Sequence, residues 1–299
     1  VSLIALLGSI ETGLLFGFVA LGVYIAFRIL QFPDLTVDGS FPLGAAVAAT
    51  TIVSGLNPFA ATLLGAAAGA VAGFVTAFLS VRLKILHLLA SILTMIALYS
   101  INLRVMGKPN EPLLGVDTVF TPLRALGLPM YWTLPLALLV LVVLTKFFLD
   151  WLLATEWGLA LRATGANPRM AKAQGINTDR MTLVGMAVSN AFVGLAGALF
   201  AQSQGGADVG LGVGVIVIGL AAVIGGEGLM NPRTVFMATL ACLVGSVVYR
   251  LFIGFALNAE FIGLKAQDLN LITAVLVALA MVVPQMKKTL GRKKPAGQG

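Results

Sequence analysis

The chain has 299 residues, of which 59% are hydrophobic and 10% charged, with a mean hydropathy of +1.01 and a formal net charge of +7. Soluble domains carry about 25% charged residues, so this composition excludes a soluble enzyme or a nucleic-acid-binding domain and indicates a polytopic membrane protein. A single cysteine (Cys242) and a single histidine (His87) exclude an internal disulfide framework and a cysteine- or histidine-rich metal centre.

About 20 apolar residues cross the hydrocarbon core as a helix. The apolar runs predict spans near 3–27, 41–54, 57–80, 86–103, 132–154, 181–203, 210–226, 234–256 and 270–285. The expected fold is all-α: one transmembrane domain over 1–299, with about nine helices, of which 41–54 is short or broken. Spanning strands are excluded because the runs are continuous rather than alternating.

The first run lacks a basic leading region and extends to Ala26, which is too long for a cleavable leader. It carries Glu11 near its middle, where an ionisable group is costly and marks a functional candidate. The stretch FPDLTVDGSFPLGAAVAA (32–49) follows, with Asp34, Thr36, Asp38, Gly39 and Ser40 between Pro33 and Pro42. Broken backbone at membrane depth is tolerated where it lines a cavity or is buried in protein. These five residues are therefore candidates for the translocation pathway; the alternative is a loop with two solvated aspartates.

The 57–80 run holds Gly65, Gly69 and Gly73, a small-residue ridge for close helix contact within or between subunits. Along 86–103, His87, Ser91, Thr94 and Asn102 share one helical face. Ser91 and Thr94 are pathway candidates, and equally residues that hydrogen-bond within the helix bundle. The Pro-rich connection 104–131 reads as a structured cap, a docking surface or a plain connector. Lys146 and Asp150, four apart, are expected to form a structural pair. A second interrupted stretch, 205–233, begins with Asp208 and a glycine-rich apolar run.

Between two spans lies TEWGLALRATGANPRMAKAQGINTDR (155–180), a basic hydrophilic island. Asn167 is placed to cap a helix, Pro168 to open it and Gly175 to end it. Arg169, Lys172 and Gln174 spread around that short helix, which suits a protein groove better than a membrane surface. The C-terminal tail, 286–299, is also basic. With the tail in the cytoplasm, 13 of the 19 basic residues flank the cytoplasmic side, 155–180 falls inside and the N-terminus outside. No Walker A, HExxH or GxSxG pattern occurs, so any ATP must be bound by another chain, and no catalytic residue or metal site is expected.

The string GANPRMAKAQGIN after EWGLALRA resembles the coupling-helix region of permeases in the branched-chain amino-acid/ribose type of ATP-binding-cassette (ABC) importer, with Asn167, Ala171, Gly175, Ile176 and Asn177 at the matching spacing. Asp34-Leu35-Thr36-Val37 resembles the D-L-S-V-G motif of sugar members, departing by Asp38 before Gly39, and Ala221-Ala222-Val223-Ile224-Gly225-Gly226 resembles their A-A-V-I-G-G motif. FPDLTVDGSFPLGAA with LTMIALYSINLRVMGKPN is similar to a subgroup thought to import aromatic amino acids. The resemblance implies a permease in a bacterial cytoplasmic membrane, embedded in lipid and paired with a second permease copy, as a homodimer. A cytoplasmic subunit binding ATP and Mg, and an extracytoplasmic solute-binding protein, complete the importer. Asn167, Pro168, Arg169, Met170, Ala171, Gly175 and Ile176 would contact the ATPase. A sugar or nucleoside permease, or an ion-gradient-driven transporter, is the alternative.

Overall fold

The computed structural model describes residues 3–126 and 129–258, with Val275 and Ala278. Apart from those two residues, the expected span at 270–285 and the basic tail lie outside the described part. Ten α-helices are described: α1 (Leu3–Val23), α2 (Val37–Val53), α3 (Pro58–Val81), α4 (His87–Met106), α5 (Met130–Ala154), α6 (Glu156–Ala166), α7 (Pro168–Ala173), α8 (Thr178–Gln204), α9 (Val215–Met230) and α10 (Val235–Asn258). Seven helical segments are long and apolar enough to cross a membrane, and α2 is a shorter apolar helix. Lipid-facing positions such as Leu63, Val71, Ile96 and Leu144 are each more than half exposed, as an apolar bundle in a bilayer requires.

Local sequence sets the helix ends. Asn57 accepts from Phe59 N (2.9 Å) ahead of Pro58, Asn167 from Met170 N (3.1 Å) ahead of Pro168, and Asn177 from Arg180 N (3.0 Å), each satisfying an orphan donor of a first turn. α1 continues as a π-helical turn over Tyr24–Ile29 and stops where Gln31 takes a left-handed φ of 54° ahead of Pro33.

α8 is the most buried span among the described residues. The glycine ridge of α3 lies on it: a Cβ on Gly69 would come within 2.3 Å of the Asn190 carbonyl oxygen, and one on Gly194 within 2.6 Å of the Gly65 oxygen. Small residues thus bring backbone to backbone within the subunit, which decides between the two readings of the ridge. α2 meets α8 as closely, with a Cβ on Gly44 falling 2.0 Å from the Gly194 oxygen.

Two features were not anticipated. A short antiparallel ladder pairs β1 (Asn110–Pro112) with β2 (Gly206–Asp208), so the Pro-rich connection is folded onto the far end of α8 rather than hanging free. Gln202 fixes it further, accepting from Val119 N (3.0 Å) and donating to Thr62 (2.7 Å). In addition, α2 begins at Val37, four residues before the expected 41.

The Lys146–Asp150 pair forms as expected, at 2.5 Å, with side chains only 4% and 13% exposed. The ammonium also lies 3.0 Å from the Phe236 ring centroid, and Asp150 accepts from Thr239 (2.6 Å). Removing one member of a buried pair leaves an uncompensated charge, at a cost of about 3–5 kcal/mol. Lys146→Met is therefore expected to lower the thermal midpoint of the detergent-purified protein clearly. Lys146→Met with Asp150→Leu should recover most of it, as read by tryptophan fluorescence.

Candidate functional site

The interior contains a polar junction where α2 begins. After the π-helical turn the chain runs back inward over 30–36, so α2 starts beside Asn190, about three turns or roughly 18 Å into α8. Asp34 is buried and folds back on its own chain, accepting from Thr36 N (2.9 Å), and its other oxygen accepts from Asn190 Nδ2 (2.7 Å). Asn190 Oδ1 accepts from Ser40 Oγ (2.7 Å). Thr36 donates to Thr76 of α3 (2.7 Å), whose own hydroxyl proton goes to Ala72 O (3.1 Å). One connected network, Ser40–Asn190–Asp34–Thr36–Thr76, therefore ties α2 to α8 and α3. Polar groups in such a setting are costly unless satisfied, and each of these is.

Asp38 faces elsewhere. From the β1–β2 end, residues 205–214 run inward to the start of α9, where Asp38 accepts from Ile216 N (2.7 Å) and Gly214 N (3.3 Å). Its carboxylate thus caps α9 and meets the positive end of that helix. Its backbone oxygen lacks the usual helical donor because residue 42 is proline. Gly212 packs against that oxygen, so closely that a Cβ there would fall 1.8 Å away. The two interrupted stretches of the sequence therefore meet in the interior, having entered from opposite ends of the bundle. A small cavity of about 90 Å³ beside the junction is lined by Val23, Phe32, Asp34, Val37, Leu88 and Ile216 among others.

Of the sequence candidates, Asp34, Thr36 and Ser40 converge on Asn190, while Asp38 holds α9. Gly39 packs against Leu98 of α4, and its carbonyl accepts from Asn102 Nδ2 (3.3 Å). Ser91 and Thr94 lie on the buried face of α4, but each donates to its own helix, to Leu88 O (2.8 Å) and Ala90 O (3.0 Å). Sequence reasoning missed Asn190 and Thr76. The available signal was an asparagine in the middle of the apolar run VSNAFVGLAG, where polar side chains are rare by default. Glu11 is half-buried and forms no ion pair among the described residues.

At the opposite side of the π-helical turn, α6 and α7 form an exposed step. A Cβ on Gly165 would fall 1.7 Å from Ile29 O, so α6 touches the end of the π-helical turn backbone to backbone. Beyond it, α7 stands out of the bundle. Ala171 faces inward and is 3% exposed, while Met170 is 62% exposed and Arg169, Lys172 and Gln174 are exposed around it. Gly175, with φ of 83°, makes the left-handed turn that ends the helix. Ile176 is half-buried, its N–H bonded to Ala171 O (3.0 Å), and Lys172 lies 3.6 Å from Asp179 at the start of α8. A bidentate pair from Arg28 to Glu227 links the π-helical turn to the end of α9 at the same end of the molecule.

Comparison with known proteins agrees with this architecture. A family model described as the permease component of the branched-chain amino acid transport system matches residues 5–284. A tyrosine transport system permease protein of Clostridioides difficile is 38% identical over 88% of this chain and 86% of its own length. An uncharacterized protein of Rickettsia prowazekii is 34% identical over 92% and 96%, and a ribose import permease of Bacillus subtilis 25% identical over 85% and 76%. No solved structure matches. The extent of the family match, together with the bundle of apolar helices, shows that the chain is a multi-pass membrane protein belonging to the branched-chain amino acid transport permease family, the permease component of an ABC-type transport system.

Proposed function

We propose that the chain forms the solute pathway of an importer of amino acids, aromatic ones in particular, in a bacterial cytoplasmic membrane, and that α7 is the helix gripped by a separate ATPase. The substrate reading rests on the 38% identity to a permease named for tyrosine transport. The coupling reading rests on one observation: a short helix, capped at both ends and exposed except for Ala171, connected through Gly165 to the backbone at Ile29. Only four residues lie between Ile29 and Asp34 along the chain. A push on α7 therefore passes through α6 and the π-helical turn to the interior network. In this orientation α7 is cytoplasmic, ATP and Mg belong to the partner, a solute-binding protein docks on the β1–β2 side, and a second copy completes the pathway.

The residues divide the work. Asn167, Pro168 and Gly175 shape α7, Ala171 seats it, Ile176 anchors its exit, and Arg169 and Met170 meet the ATPase. Met170→Asp is the direct test, because the side chain touches little of the permease. Expected is at least a tenfold loss of ATP-driven uptake into proteoliposomes, with ATP turnover no longer stimulated by loaded binding protein and with unchanged yield of permease. Stimulated turnover equal to wild type would refute the assignment of α7.

A further inference from the structure

Arg250 stands apart from everything above. It lies on α10, 15 residues or roughly 22 Å from the helix start at Val235, within a candidate span. Its guanidinium sits 4.1 Å from the centroid of the Phe16 ring. Phe16 in turn stacks on Phe41 (5.8 Å), and Phe200 closes the group edge-on at 5.5 Å from Phe41 and 6.1 Å from Phe16. The Nε of Arg250 is buried without a hydrogen-bond partner, and no carboxylate pairs with the side chain among the described residues. α1 holds the base of this side chain in place, since Gly13 packs against Val247 and against Cβ of Arg250. The buried ammonium of Lys146, by contrast, has its aspartate.

A cation at membrane depth is costly, and aromatic faces compensate only part of that cost. A guanidinium carries five donors in a fixed fork that matches a carboxylate. The face of Phe16 accepts none of them in a normal hydrogen bond. Phe16 and Phe41 are 4% and 1% exposed, so the ring side of the guanidinium is closed off from lipid. Phe200 also lines a cavity of about 250 Å³ that opens at the β1–β2 end beside Gln204 and Asp208. Phe200 thus joins the aromatic cluster to a cavity on the side from which an importer receives its solute.

We propose that Arg250, Phe16, Phe41 and Phe200 form a solute-binding site, in which the guanidinium takes a carboxylate and the three rings take an aromatic side chain. The proposal deepens the importer reading and rests on it. In the structure the rings pack on one another, so the site is closed; a solute enters by replacing ring–ring contacts with its own ring, which brings its carboxylate to the unpaired Nε. A neutral sugar offers nothing to the charge, so the site discriminates against it.

The test uses the complete permease–ATPase complex in nanodiscs, without binding protein, and radiolabelled L-phenylalanine as probe. Expected is saturable binding that 3-phenylpropionate displaces, with phenethylamine, which lacks the carboxylate, and ribose each at least tenfold weaker as competitors. Arg250→Met should lower binding at least tenfold and Arg250→Lys less. No saturable binding by the wild type, equal competition by phenethylamine, or unchanged binding in Arg250→Met would each overturn the site. If Arg250→Met does not assemble, the competition series on the wild type decides alone. ATP-driven uptake separates this idea from the reading beneath it. Uptake of an aromatic amino acid that does not depend on Arg250 removes the site and leaves the importer; uptake of ribose but no amino acid removes both.

Discussion

Gly69→Val is expected to stop the permease from accumulating as a folded complex, while Gly8→Ala is expected to be silent. The Gly69 Cβ would sit 2.3 Å from the Asn190 oxygen and 3.0 Å from Gly194 Cα, and both contacts are to the backbone of α8 rather than to a side chain that could turn aside. α8 is held in place by α2, which meets Gly194 through Gly44, and by α1, which meets Ser189 through Gly22. Overpacking a tight site costs about 1–3 kcal/mol or more. Here it would also pull Asn190 away from Asp34 and Ser40, adding about 1–3 kcal/mol for each buried polar group left unsatisfied. Against a total stability of about 5–15 kcal/mol, that sum removes most folded material. Gly8 has nothing within 4 Å of its Cβ position and serves as the matched control. The measurement is the monodisperse yield of a fluorescent fusion by gel filtration; comparable peaks for Gly69→Val and wild type would refute the argument.

Asp38→Ala should also destabilise the permease. It removes the acceptor of Ile216 N and Gly214 N at a part-buried helix end, and withdraws a negative charge from the positive end of α9. The Ile216 bond, at 2.7 Å, dominates, so a loss of about 2–4 kcal/mol follows. Asp38→Asn keeps one acceptor oxygen and should recover part of the loss. The expected order of thermal midpoints in detergent is wild type, then Asn, then Ala. An alanine variant as stable as wild type would mean that the carboxylate serves a solute instead of α9.

Much of the local structure was legible because its causes are local. The Asn–Pro start and glycine stop of α7 need only nearby backbone, so Asn167, Pro168 and Gly175 announced it. Apolar runs gave most span ends to within a few residues, and the spacing of Gly65, Gly69 and Gly73 announced a close contact. What the spacing left open was the partner, which lies on α8. The start of α2 was misplaced for the same reason. Asp34, Thr36 and Ser40 look like loop residues until Asn190 and Thr76 are set beside them, and Asp38 looks like a free carboxylate until α9 is. Nothing near residue 250 along the chain indicates that Phe16, Phe41 and Phe200 gather beside it. Contacts between positions far apart in the chain have no signature in a single sequence except the oddity of each member.

The distance along the chain between Asp34 and Asn190, 156 residues, also has a consequence for biosynthesis. At about 5–20 residues per second, the ribosome needs on the order of 8–30 seconds after making Asp34 to supply its partner. During that interval α2 is a short segment with unsatisfied polar groups at its entrance, a poor candidate for release into lipid on its own. Thr76 arrives early enough to hold Thr36, but Asp34 and Ser40 must wait for α8. The first two helices therefore need shelter beside the insertion machinery until α8 has been made, and α8 is the segment whose arrival lets them leave it.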